Sequence, residues 1–169
     1  MTVSLKIRAD LLVRVRADLE RPHPFAWERV GFLFAAAAAM GERDLLLTIR
    51  RYIPVDDDDY VVDRKVGAKI GSNAMRKAVE AAYRPASGIL HVHTHHGSGV
   101  PRFSSVDLAS ASEFVPGFFE TAPRMPHGLL VLSDDAAYGH VWFDARRDPK
   151  PIDRFVSVGV PINHQWSAG

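Results

Sequence analysis

Three histidines alternate with Val92 and Thr94 in His91-Val92-His93-Thr94-His95, and Ser104-x-x-Asp107 follows after a short loop. Alternation of this kind suits an extended strand, where i and i+2 side chains share a face, so the three imidazoles point the same way. The spacing predicts a strand over 89–94, a loop through Gly97, Gly99 and Pro101, and a helix from Ser104 or Ser105 towards Phe118. Same-face neighbours on a strand lie about 6.6 Å apart, and i, i+4 residues about 13 Å. A zinc–nitrogen bond is only about 2 Å. His91 and His95 therefore cannot close on one ion, whereas adjacent histidines can. His95 stands nearest the loop, which makes the pair His93 and His95 and leaves His91 as a buried or supporting histidine.

Two neutral imidazoles and the Asp107 carboxylate form a catalytic zinc set with the fourth position open to water. Glu28, upstream, is available as a general base. Ser104-x-x-Asp107 is also a helix capping box. The two readings are compatible: a carboxylate is favoured at a helix N-terminus, and Ser105 could supply the cap instead.

Composition narrows the alternatives. At 169 residues, with 47% apolar and 24% charged residues, the chain is expected to be one ordinary globular domain, 1–169. With 21 basic against 20 acidic residues, it has no electrostatic case for nucleic acid or a membrane surface. There is no cysteine, which excludes disulfides, a thiolate nucleophile, iron–sulfur clusters and Cys-rich zinc sites. The first residues lack a signal-peptide apolar region, and the most apolar run, 30–40, is shorter than the about 20 residues that span a bilayer. The expectation is a soluble, cytoplasmic protein.

The remaining elements follow from periodicity. Residues 3–8 alternate as a strand, and Asp10 is placed to cap a helix reaching about Glu20 before Pro22 and Pro24. Five consecutive alanines favour a helix over 28–40 by propensity. A buried strand from Val30 followed by β-like 45–49 makes a β-hairpin over 28–54 the preferred reading. The acidic run 56–59 reads as a solvated turn. Apolar residues at helical spacing predict a helix within 66–83, and strands are expected near 129–132, 140–143 and 155–158. This mixture is an α/β or α+β sandwich. His23, His127, His140 and His164 lack ligand spacing and are read as surface or core residues, and Trp27, Trp142 and Trp166 are read as packing residues rather than a recognition platform. A serine hydrolase is disfavoured because no Gly-x-Ser-x-Gly elbow is present.

His93-Thr94-His95, eight residues, then Ser104-x-x-Asp107 resembles the metal motif of the JAMM (MPN+/JAB) metalloproteases. Glu28-Arg29-Val30-Gly31-Phe32-Leu33-Phe34 resembles that family's glutamate-bearing strand, and the resemblance covers roughly residues 25–145. The family's spacer is commonly seven residues, and His96 stands where it usually has proline. Ser104 is preferred over Ser105 because it alone keeps two residues before Asp107.

The resemblance implies a JAB/MPN-type (cytidine-deaminase-like) fold: a central, mostly antiparallel curved sheet flanked by helices, with the site at its edge. It implies one Zn2+ held by His93, His95 and Asp107, Glu28 as general base, and Ser104 as donor to the oxyanion. Family members cleave the peptide or isopeptide bond after the C-terminal glycine of a ubiquitin-like protein. The short, cysteine-free form looks most like prokaryotic JAB proteins, which accompany E1- and E2-like partners. The substrate tail is expected to pair with a sheet edge beside the zinc, in a groove shaped by 52–66 and 108–127, including Phe118 or Phe119. The competing classes are a non-catalytic MPN-type scaffold and a zinc peptidase acting on small peptides.

Overall fold

The computed structural model describes residues 1–22, 24 and 26–159, together with the backbone of residues 164–167. The side chains of His23, His164 and Trp166 lie outside the described residues. Among the described residues, nine strands form one sheet: β1 (Thr2–Arg8), β2 (Val30–Ala39), β3 (Asp44–Pro54), β4 (Gly88–Thr94), β5 (His127–Leu132), β6 (Ala137–Trp142), β7 (Lys150–Pro151), β8 (Arg154–Val158) and β9 (His164–Ser167). Their order is β7-β6-β5-β4-β2-β3-β1-β8-β9. The sheet is mixed: β1–β3, β1–β8 and β4–β5 are parallel, and the other five pairings are antiparallel. Helices α1 (Ala9–Leu19), α2 (Ser72–Tyr83) and α3 (Ser105–Thr121) complete an α+β fold. Among the described residues, no helix is long and apolar enough to cross a membrane.

Strand alternation sorts the core into two layers. Val3, Leu5, Leu33, Leu90, Val92 and Leu130 turn to one face, where Leu11, Val15 and Leu19 form the buried stripe of α1. Phe32, Phe34 and Ile89 turn to the other, beneath Ala74, Ala78 and Ala82 of α2 and Phe118 of α3. The hairpin reading holds, since β2 pairs antiparallel with β3 through Ala39. Helix propensity favours alanine by only a few tenths of a kcal/mol per residue. Burying Phe32, Leu33 and Phe34, each at most 2% exposed, is worth about 1.5–3 kcal/mol per side chain. Packing decides the conformation.

Three expectations need correction or refinement. Asp10 does not cap α1: Arg8 occupies the cap position, and Asp10 lies in the first turn, bound by the Arg8 guanidinium. The second helix lies within 66–83 but begins only at Ser72, leaving Ile70 outside it, because Ile70 bridges to Tyr60 and the Gly71 N–H donates to Asp59 O. Residues 61–71 are left as a covering segment. The acidic run is exposed at Asp56, Asp57 and Asp58, as a solvated turn would be, but not at Asp59. Asp59 is buried and accepts hydrogen bonds from Lys77 Nζ (2.6 Å) and Asn73 Nδ2 (2.5 Å), while Asp57 pairs with the buried Arg29 at 2.6 Å.

His127 is a fully buried core histidine. Its Nδ1 accepts from the Ile89 N–H (3.1 Å) and its Nε2 lies 3.0 Å from Ala122 O, which requires the proton on Nε2. A second proton would oppose the Ile89 N–H. Burial pushes the imidazole down to about 4, although the bond to Ala122 O acts the other way. The unfolded histidine takes up its proton at about pH 6.5, so this contribution is complete above that pH and is lost as pH falls towards 4. Urea titrations over that window should show the native chain losing about 3 kcal/mol more than His127→Gln. Parallel pH dependences in the two chains would contradict this assignment.

Candidate metal centre

β4 supports the site. It pairs with β2 on one side (Val30↔His93) and β5 on the other (His93↔Val131), and the His95 N–H donates to Leu132 O at 2.8 Å. Held on both sides, the strand fixes its odd-numbered residues on the α2/α3 face. The Nε2 atoms of His93 and His95 lie 3.3 Å apart. The site is therefore not at a sheet edge: it lies at the C-terminal end of an interior strand, and both edges of that strand are occupied.

The first turn of α3 supplies the carboxylate. Ser104 itself is the N-cap, not Ser105: Ser104 Oγ accepts from the Asp107 N–H (3.1 Å), and Asp107 Oδ2 accepts from the Ser104 N–H (2.7 Å). The same carboxylate faces the histidines, with Oδ1 3.3 Å from His93 Nε2 and Oδ2 3.6 Å from His95 Nε2. Burial alone would raise the Asp107 pKa. The His93 imidazole and the Ser104 bonds outweigh it and hold the carboxyl well below the usual range. The expected capping box and ligand are thus one residue. Ser104 Oγ uses a lone pair on the cap, so its proton remains free to donate.

The cap is testable by substitution. Ser104→Ala is expected to lose about 1 kcal/mol of stability through the cap, whereas Ser104→Gly loses only about a few tenths. Thermal melting of the two variants beside the native chain checks this, and equal losses in both would contradict the cap.

Glu28 arrives from the segment before β2. Its carboxylate and the two imidazoles place ligand atoms within 4.8 Å of one another, a reach that one intervening water can bridge. Its backbone is fixed by the covering segment, since Trp27 N–H and Glu28 N–H both donate to Gly67 O (2.8 and 3.1 Å). The adjacent Arg29 is 3% exposed, and its guanidinium binds Arg21 O (2.9 Å), Pro22 O (2.9 Å) and Asp57 Oδ1 (2.6 Å). Sequence reasoning missed Arg29, Asp57 and Gly67. Only a charged residue directly before an apolar strand signalled the first.

All five predicted residues, Glu28, His93, His95, Ser104 and Asp107, line one cleft of about 720 Å³. Residues 65–70 form another part of its wall, with Val106, Ser110 and Phe114 of α3. A tetrahedral ion with bonds of about 2.0–2.1 Å sets its ligand atoms about 3.3 Å apart. The two imidazole nitrogens, 3.3 Å apart, meet that requirement, and the Asp107 carboxylate faces both, with Oδ1 towards His93 and Oδ2 towards His95. His91 stays outside this group: it packs against Phe32 and Phe114, and its Nδ1 is buried without a partner. Burial first, and then the charge of His93, push it down to about 3, so the ring is neutral.

Other expectations about the surroundings change. Phe118 is buried core against Phe32 and His127, and Phe119 packs on His127, so neither shapes the cleft. Trp27 is 79% exposed rather than packed. Trp142 packs beside α3, and the His140 ring bonds to Tyr138.

No protein-family profile matches the chain, and no curated protein matches it. Among solved structures, it is similar to the Trichoplax adhaerens STIL N-terminal domain, with 12% identity and a TM-score of 0.42, over 81% of this chain. The chain spans 41% of the length of that domain. A likeness this distant carries no argument about the fold or its chemistry.

Proposed function

We propose that the chain is a zinc-dependent metalloprotease of the JAB/MPN type. Its reaction is hydrolysis of the peptide or isopeptide bond after the C-terminal glycine of a ubiquitin-like protein. One observation carries this reading: Glu28, His93, His95, Ser104 and Asp107, drawn from three separate segments, converge in one cleft, with the His93 and His95 Nε2 atoms 3.3 Å apart and the Asp107 carboxylate facing both. A capping box alone has no need of two facing imidazoles, and a scaffold has no need of the glutamate.

His93, His95 and Asp107 would hold the ion. Zinc, when bound, supplies a water acidified to a pKa of about 7 and polarises the scissile carbonyl. Glu28 accepts the attacking water's proton and returns it to the departing amine. Ser104 Oγ donates to the carbonyl oxygen as negative charge develops there. His93, buried and paired through both neighbours of β4, keeps this geometry without rearrangement. Since both edges of β4 are occupied, the substrate tail lies along the cleft wall rather than adding a strand to the sheet.

The test is metal content followed by cleavage. Mass spectrometry should find about one zinc per chain. The loaded protein should cut a ubiquitin-like domain fused through its terminal glycine to a reporter, lose that activity to a chelator, and regain it with Zn2+. A zinc-loaded chain that leaves every such fusion intact defeats the proposal. Equal cleavage of a free peptide of the same tail sequence indicates a small-peptide peptidase instead.

A further inference from the structure

The covering segment 61–71 meets the proposed base at Gly67. A Cβ built on Gly67 would lie 2.7 Å from both Cδ and Oε2 of Glu28 and 2.9 Å from Oε1, so the carboxylate rests directly against the glycine's α-carbon. Gly67 is not one of the glycines with positive φ, which are Gly41, Gly97 and Gly99. Its backbone conformation is therefore open to any residue, and what excludes a side chain is space. The three atoms nearest to such a methyl group all belong to the end of one flexible side chain. The same residue's carbonyl accepts from Trp27 N–H and Glu28 N–H. Gly67 thus fixes Glu28 twice, by holding its backbone and by yielding the volume its carboxylate fills.

We infer that Gly67 is a positioning residue that sets where the Glu28 carboxylate stands relative to His93 and His95. This rests on the reading of Glu28 as the general base. A methyl at 67 displaces the carboxylate first, because the three atoms nearest to it all belong to Glu28 and none to His93, His95 or Asp107. The expected signature is a fall in kcat with KM and zinc content unchanged. A displacement of about 1 Å at a reacting group costs roughly 10²-fold in rate. Melting should not suffer, since alanine in place of glycine at an ordinary φ restricts the unfolded chain.

The experiment is a cycle of Gly67→Ala, Glu28→Asp and the double variant, assayed on the glycine-linked fusion. Beside it, the 13C carboxyl resonance of Glu28, assigned through its loss in Glu28→Gln, is followed in the native and Gly67→Ala chains. Aspartate withdraws the carboxylate by about 1.5 Å, away from a methyl at 67. Each single variant should lose rate, and the double variant should lose much less than the product of the two losses. The Glu28 resonance should shift in Gly67→Ala while the melting temperature holds. Strictly multiplicative losses, or a native rate and an unmoved resonance in Gly67→Ala, overturn the inference. A moved resonance in a chain that takes up no zinc and cuts no fusion upholds the positioning by Gly67 and brings down the proposed reaction instead.

Discussion

Replacing Glu28 with glutamine is expected to leave zinc content and folding as they are and to lower kcat by about 10²–10⁴-fold, the usual contribution of a positioned base. The amide is nearly isosteric and still fits against Gly67, but it cannot take a proton at neutral pH. KM should barely move, because the change removes an interaction made in the transition state rather than in the ground state. Single-turnover assays with the zinc-loaded variant check this. Native turnover in Glu28→Gln would place the base elsewhere and return Glu28 to the role of a carboxylate beside a metal.

The second large effect concerns Asp107, whose carboxylate serves two structures at once. Asp107→Ala, and more so His95→Ala/Asp107→Ala, should abolish stoichiometric zinc binding and with it all turnover. Asp107→Ala also removes the acceptor for the Ser104 N–H, and loss of a cap costs about 1 kcal/mol. His95→Ala leaves the cap intact, so it should lose zinc without that added loss of apoprotein stability. Metal analysis and melting of the metal-free chains distinguish these outcomes. Retained zinc in the double variant would mean that the ion is held by other residues.

How much of this was legible beforehand depends on the range of the interaction. The histidine pair could be read because strand alternation is a local rule, and the Asp107 carboxylate because helix N-termini have a local signature. The β2 strand, alanine-rich as it is, was legible only through the flanking hairpin pattern and the family resemblance, since burial of Phe32 and Phe34 decides it. The interior placement of β4 was not legible. It depends on β5 returning parallel after α3, a pairing between residues far apart in sequence. The same holds for the acidic run, whose members find Arg29, Asn73 and Lys77 only in the folded chain. Gly67 was invisible for a simpler reason: its role is a missing atom, and periodicity records none.

The alternation of β4 has an evolutionary corollary. Its odd-numbered positions carry the imidazoles, and Leu90 and Val92 between them are sealed beneath α1. Deleting or inserting one residue within 88–92 would turn the histidines into the oily layer and expose the aliphatic residues to the cleft. The lineage of such a chain can therefore vary by changes of length only outside this strand. The segment 61–71, which bounds the cleft without contributing a strand to the sheet, is where descendants can diverge in what they accept while the proposed ion's seat stays in place.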